Sequence, residues 1–120
     1  MNQKRWSREK RVKTGVNEGG FAPKKNLLCA TLWLRVENNS KFIRRKKRVR
    51  EAIERYCLNQ YDAKRLHKDG WEYELRIPYD DDEDLERQIE FLMQEMYMTA
   101  DDDYCFIEAD LSESGGDRRW

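Results

Sequence analysis

The hydrophobic residues of this chain recur with a period that changes several times along the sequence. These changes between strand-like and helix-like periods constrain the fold more than any other feature. From residue 26 to 37 apolar side chains occupy every second position, as in a strand with one buried face. From residue 40 to 58 they recur about every 3.6 residues, as on one side of a helix. The predicted order is strand 26–37, helix 40–58, strand 63–67, strand 71–78, helix from the acidic run 80–84 to residue 100 at the latest, and strand 104–111.

Local signals support these boundaries. Asn38, Asn39 and Ser40 offer turn and helix-capping chemistry, and the predicted first helix carries Phe42 on the same apolar side as its other core residues. Residues 68–70 read Lys-Asp-Gly, a strong turn signal that predicts a hairpin between the second and third strands. The acidic run at 80–84 suits a helix start, because carboxylates stabilise the positive end of the helix dipole.

The order β-α-β-β-α-β predicts an α+β fold of the split-βαβ, ferredoxin-like type. Right-handed crossovers would place both helices on one face of a four-stranded antiparallel sheet, with the first and third strands at its centre. The other face would be left to solvent or to a partner. We expect a flexible basic arm at 1–25, the folded domain at 26–113 and a loose C-terminal tail at 114–120.

Length and composition indicate the number of domains, the cellular location and the state of the cysteines. The chain has 120 residues, which suffices for one modest core. Its longest apolar run, residues 27–34, is far shorter than the ~20 residues of a membrane helix, so we expect no membrane association and a cytoplasmic location. Cys29, Cys57 and Cys105 have no metal-site or disulfide spacing and are predicted to be reduced core thiols.

A formal net charge of zero hides a strong segregation of charge. Residues 1–68 hold 20 Lys and Arg against 6 Asp and Glu, a net charge of +14, and residues 69–120 hold 4 against 18, a net charge of −14. Such asymmetry bears on partners and on self-association.

The basic string at residues 44–50 is one candidate site. A solvated helix face presenting Arg44, Arg45, Lys47 and Arg48 could, with the basic arm, follow the phosphate backbone of a nucleic acid. Equally, Glu51 and Glu54 lie within helical reach of these cations, so part of the charge could form ordinary surface ion pairs.

An aromatic sheet face is the other candidate site. Alternation places Trp33, Arg35, Tyr104 and Phe106 away from the helices, and Trp33 is expected to neighbour the two aromatic residues of the last strand. The layout is similar to that of RNA-recognition domains, but their glycine-aromatic strand signature is absent from residues 71–79. Carboxylates such as Glu72 and Glu74 would also repel a polyanion there. A protein partner or a second copy of the chain suits this face better.

No catalytic motif stands out, and no cofactor is predicted. The acidic runs 80–84 and 101–103 could share a cation, but capping of a helix explains the first run better. His67 has no identifiable catalytic partner in the sequence. The leading hypothesis is therefore a non-enzymatic interaction module that self-associates or docks a protein through the aromatic face. A nucleic-acid-binding accessory protein ranks second, and a small-molecule or metal-dependent enzyme third.

Overall fold

The protein is represented by a computed structural model that describes residues 24–120. Of the predicted basic arm, only Lys24 and Lys25 belong to the described part, and residues 1–23 lie outside it. The strands are β1 (Asn26–Asn38), β2 (Lys64–Arg65), β3 (Glu72–Tyr79) and β4 (Cys105–Glu113), and the helices are α1 (Lys46–Ile53) and α2 (Asp82–Asp102).

The four strands form one antiparallel sheet in the order β2-β3-β1-β4, so the architecture belongs to the α+β class. The register pairs Leu32 with Tyr73 of β3 and with Leu111 of β4. The long strand β1 thus supplies the centre of the sheet, because it pairs over most of its length on both sides.

One face of the sheet carries the hydrophobic core. Leu28, Ala30, Leu32, Leu34 and Val36 of β1 are all buried, as the period-2 pattern predicts. α1 packs on β1, α2 packs on β3 and β4, and the two helices contact each other. Residues of both helices join this core, and within residues 24–120 every buried residue is hydrophobic.

The first helix begins six residues later than the pattern predicts, at Lys46 instead of residue 40. The side chain of Asn38 reaches across the loop, and its Oδ1 accepts a hydrogen bond from the Lys46 backbone N–H at 3.0 Å. Ser40 Oγ instead accepts from the backbone N–H groups of Phe42 (3.0 Å) and Ile43 (3.2 Å), which closes a local turn. Phe42 therefore lies in a loop with its side chain 91% exposed, and its predicted place in the core is wrong.

α1 continues into a π-helical segment, Glu54–Leu58, and a 3-10 turn, Asn59–Tyr61. Asp62 then adopts a left-handed conformation with φ 53°, which ends the helical stretch. The next strand, β2, has only two residues. Beyond Glu74, β3 consequently has no strand partner on that side, and Pro78, which lacks an N–H, is accommodated within it.

The second helix starts as predicted and ends later than predicted. Asp81 caps it, since its Oδ1 accepts from the Asp84 backbone N–H at 2.8 Å. The helix runs on through Asp102 instead of stopping by Ala100. Ala100 is buried in the core, so packing holds this last turn helical while the neighbouring carboxylates remain in solvent.

Residues 114–120, the predicted tail, turn back along β4. A bridge joins Ser112 to Arg119, and the Trp120 backbone N–H donates to the Leu111 carbonyl at 2.9 Å. Trp120 packs against the border of the core. Between residues 24 and 120, neither helix combines the length and the apolar character that crossing a bilayer requires.

Candidate nucleic-acid and protein interface

Five cationic side chains surround the start of α1, and we call them the basic patch. They lie on the loop that follows β1 and on the solvent side of the first helical turn. The basic patch consists of Lys41, Arg44, Lys46, Lys47 and Arg48, all of them exposed. Three of the four residues predicted for nucleic-acid binding belong to it. Lys41 was not predicted, and Lys46 lies in the predicted basic string but was not among those four residues.

The charges of the basic patch are not neutralised by carboxylates of residues 24–120. Within the part of the chain that the structure describes, none of its five side chains forms an ion pair or a hydrogen bond. Glu54, expected to pair with cations of this helix, is held by Arg50 at 3.4 Å and by Arg65 at 2.7 Å. Arg45, the fourth predicted residue, points away from the patch and binds Asp103 at 3.0 Å. The predicted surface pairing thus holds for Arg50 and leaves the patch with its full charge.

A shallow open depression of about 330 Å³ lies beside the basic patch. Its lining combines the cations of Lys41, Arg44 and Lys46 with polar groups of residues 38–40 and one carboxylate, Glu37. That carboxylate is paired with Arg35. A depression with three cations at its rim has the chemistry to hold an anionic group.

The aromatic residues predicted for the sheet face do not form one patch. Trp33 pairs with Glu72 on β3 and with Asp110 on β4, while Phe106 pairs with Glu37. Glu37 lies four positions after Trp33 in β1, which is about 13 Å along the strand. The expected contact of Trp33 with the other aromatic residues is therefore wrong.

Tyr104 lies just before β4 instead of within it. Its φ is 59°, its side chain is 53% exposed, and its carbonyl accepts from the Asn39 backbone N–H at 3.0 Å. Phe106 follows on the open face of the sheet with 48% of its surface exposed. These two aromatic residues thus sit at the end of the sheet where β1 leads into the basic patch.

The open face of the sheet carries mostly charged side chains. Arg35 lies across from Glu108 and also pairs with Glu37. Cys29 is exposed on this face, so its predicted place in the core is wrong, whereas Cys57 and Cys105 are buried and all three are free. The carboxylates of the open face are Glu37, Glu72, Glu74, Glu108 and Asp110. They give this face the negative character that disfavours a polyanion.

A polar cluster joins α1 to the hairpin between β2 and β3. The buried Tyr73 donates its hydroxyl proton to Glu54 and accepts from Arg50 Nε at 2.7 Å. Arg65 binds both carboxylate oxygens of Glu54, at 2.7 and 3.0 Å. Arg50 also donates to the Gly70 carbonyl, and its guanidinium lies 4.8 Å from the Trp71 ring centroid.

This polar cluster shifts the pKa values of its members. Burial raises the pKa of Tyr73 to about 12, helped by the hydrogen bond to Glu54. Burial also tends to raise the pKa of Glu54, but hydrogen bonds from Arg65 and Tyr73 and the charge of Arg50 outweigh it, so its pKa lies below the ordinary value. Throughout residues 24–120, no buried side-chain nitrogen or oxygen lacks a hydrogen-bond partner. The members of the polar cluster thus satisfy one another's hydrogen-bonding groups.

The acidic runs do not come together. They occupy opposite ends of α2, which for 21 residues is about 30 Å long. Among residues 24–120 no group of three or more His, Cys, Asp or Glu side chains is arranged to hold a metal ion. His67 is exposed and its Nε2 lies 3.2 Å from Glu72 Oε1. None of these groups assembles a nucleophile, a base and an orienting partner.

Comparison with known protein families, with curated proteins and with solved structures found no match to this chain.

Proposed function

We propose that this protein is a non-enzymatic nucleic-acid-binding accessory module that uses the basic patch. The observation that carries the proposal is the set of five exposed cations with no ion-pair partner among residues 24–120. When such unneutralised cations contact a phosphate backbone, they displace condensed counterions from it. The release of these counterions favours binding. The basic residues of the N-terminal arm, part of the same hypothesis, would add to this attraction.

The charge around the basic patch favours a defined orientation of the ligand. The open sheet face is acidic, and Asp101, Asp102 and Asp103 end the neighbouring helix. A polyanion would be repelled from both surfaces and directed onto α1 and the depression beside it. The 97 described residues carry 18 Lys and Arg against 22 Asp and Glu, so attraction is local and does not arise from overall charge.

The test of this proposal is the salt dependence of binding by the full chain. Fluorescence anisotropy with labelled DNA and RNA should show affinity that falls steeply and linearly on a log-log plot as salt rises. The slope reports the number of phosphates neutralised. Absence of binding to both polymers at low salt would remove the proposal.

A second candidate function, docking of a protein or of a second copy, is favoured by Tyr104 and Phe106. Tyr104 occupies a left-handed position just after a helix, where glycine is the least strained residue. Local backbone energetics therefore do not explain the tyrosine, whereas a contact made by its half-exposed ring does. Phe106 adds apolar surface two residues along, and large aromatic residues are enriched in interface cores.

This second candidate predicts that Phe106→Glu weakens self-association at least tenfold, because it places charge in an apolar contact next to carboxylates. Tyr104→Gly should also weaken self-association while leaving the thermal stability unchanged or raised, since it relieves the left-handed strain. Light scattering over a concentration series would measure both effects. A wild-type chain that stays monomeric at high micromolar concentration leaves only a foreign protein as partner.

We also propose the ferredoxin-like, split-βαβ topology and a cytoplasmic location. The topology is supported by the strand order β2-β3-β1-β4, with α1 between β1 and β2 and α2 between β3 and β4. The location is supported by three free thiols, one of them exposed, which suit a reducing compartment.

A further inference from the structure

An exposed phenylalanine lies inside the basic patch. Phe42 is preceded by Lys41 and followed by Ile43 and Arg44, and of these only Ile43 is partly buried. Two hydrogen bonds from backbone N–H groups to Ser40 Oγ fix the turn on which Phe42 stands. The ring is therefore presented to solvent on a locally ordered backbone.

The position of this ring matters more than its exposure alone. Single exposed apolar residues are common on protein surfaces and need no special explanation. Here, however, the cations on either side of Phe42 in sequence, Lys41 and Arg44, line the depression together with Lys46. An aromatic face next to a cationic groove is the arrangement by which proteins hold unpaired nucleotides, with the ring stacking on a base and the cations on its phosphates.

We propose that Phe42 is a stacking platform for an unpaired base, so that the ligand of the basic patch is single-stranded nucleic acid. This inference rests on the proposed nucleic-acid function and specifies its ligand. In a duplex the base faces are already stacked on one another, and a side chain at the surface meets phosphates and base edges instead. An acidic protein segment would satisfy the cations but would offer no base to the ring.

An abasic strand provides the sharpest test, because it keeps the phosphate backbone and lacks the bases. We expect the full chain to bind a mixed-sequence single-stranded oligonucleotide on the order of tenfold more tightly than the abasic strand of equal length. Phe42→Ala should reduce affinity for the normal strand to near that for the abasic strand and leave abasic binding unchanged. Phe42→Trp should retain the preference, since its ring also stacks.

The matched control variant is Tyr97→Ala, which removes an exposed aromatic ring from α2, outside the basic patch, and it should not change either affinity. Thermal unfolding would verify that Phe42→Ala folds normally, as expected for a side chain that contacts solvent. Equal weakening of both strands by Phe42→Ala, or no effect on either, would overturn the stacking role while leaving the proposed function intact. Binding of polyglutamate as tight as that of the oligonucleotide would overturn it in favour of an acidic protein partner. If wild type binds none of these polymers, the proposed function fails first, and the stacking role fails with it.

Discussion

Replacement of Glu54 by alanine is expected to lower the free energy of unfolding by about 2 kcal/mol. The change removes the carboxylate that accepts from Tyr73 and from Arg65, and it leaves Arg50 without its counter-ion. The Arg50 side chain is only 13% exposed, so water replaces the lost carboxylate poorly. Urea unfolding monitored by tryptophan fluorescence would measure the effect.

Glu51→Ala is the matched control for this variant, because Glu51 is an exposed carboxylate on the same helix. It should change the free energy of unfolding by less than about 0.5 kcal/mol. A double-mutant cycle of Glu54→Ala with Tyr73→Phe should give a coupling free energy of about 1 kcal/mol, since the two side chains share a hydrogen bond. A Glu54 variant as stable as the Glu51 variant would show that the polar cluster does not stabilise the fold.

Glu54→Ala also tests the direction of the pKa shift of Glu54. A carboxyl group whose pKa is lower in the folded state contributes stability that is fully present above its unfolded pKa. That contribution is lost as the pH falls below the ordinary pKa of a glutamate and through the lower pKa of the folded state. The stability difference between wild type and Glu54→Ala should therefore be constant near neutral pH and shrink in acid. A difference that grows in acid would contradict the assigned direction.

Reversal of three charges in the basic patch is expected to have the largest effect on binding. The variant Arg44→Glu, Lys47→Glu, Arg48→Glu should bind nucleic acid at least about 100-fold more weakly at low salt, with a salt slope reduced by about 2–3. Each change both removes a phosphate contact and adds a repulsive charge. The affected side chains are exposed and unpaired within residues 24–120, so the domain should remain folded.

A control variant with the same change of net charge at other positions distinguishes local contacts of the basic patch from general electrostatic attraction of the nucleic acid. The control variant Lys64→Glu, Lys68→Glu, Arg76→Glu alters exposed cations that lie outside the basic patch and outside the N-terminal arm. It should weaken binding by a few-fold at low salt and by little at physiological salt, where distant charges are screened. Equal losses in the two triple variants would mean that the patch is not the binding surface.

The sequence predicted the strands and the core well because both depend on simple periodicity. Every buried residue of β1 follows the period-2 pattern, and the buried positions Leu85, Ile89, Leu92 and Met96 follow the helical one. The start of α1 was misplaced for a different reason. Its backbone is capped by Asn38, eight residues before the first helical residue, and such a contact has no fixed spacing in sequence. Phe42, assigned to the core through that error, proved to be the most exposed of the large hydrophobic residues among 24–120.

The candidate sites were harder to predict because they depend on register and on side-chain partners. A shift of a few residues in pairing decides whether Trp33 meets Phe106 or Asp110, and hydrophobic alternation alone does not fix that choice. Arg45 could be told apart from Arg44 only by the ion pair with Asp103, 58 positions away. The polar cluster around Glu54 likewise joins residues of three different segments. Only its i,i+4 pair with Arg50 was visible in the sequence.

The return of residues 114–120 along β4 covers the end of one border strand of the sheet, residues 111–113. On one border the Glu113 backbone N–H donates to the Arg118 carbonyl, which occupies groups that a strand from another molecule would otherwise pair with. On the other border Pro78 has no N–H to offer, and its carbonyl accepts from the Gln88 side chain at 2.9 Å. These two features limit the pairing of another strand at these positions, and removal of residues 114–120 would expose the covered end of β4.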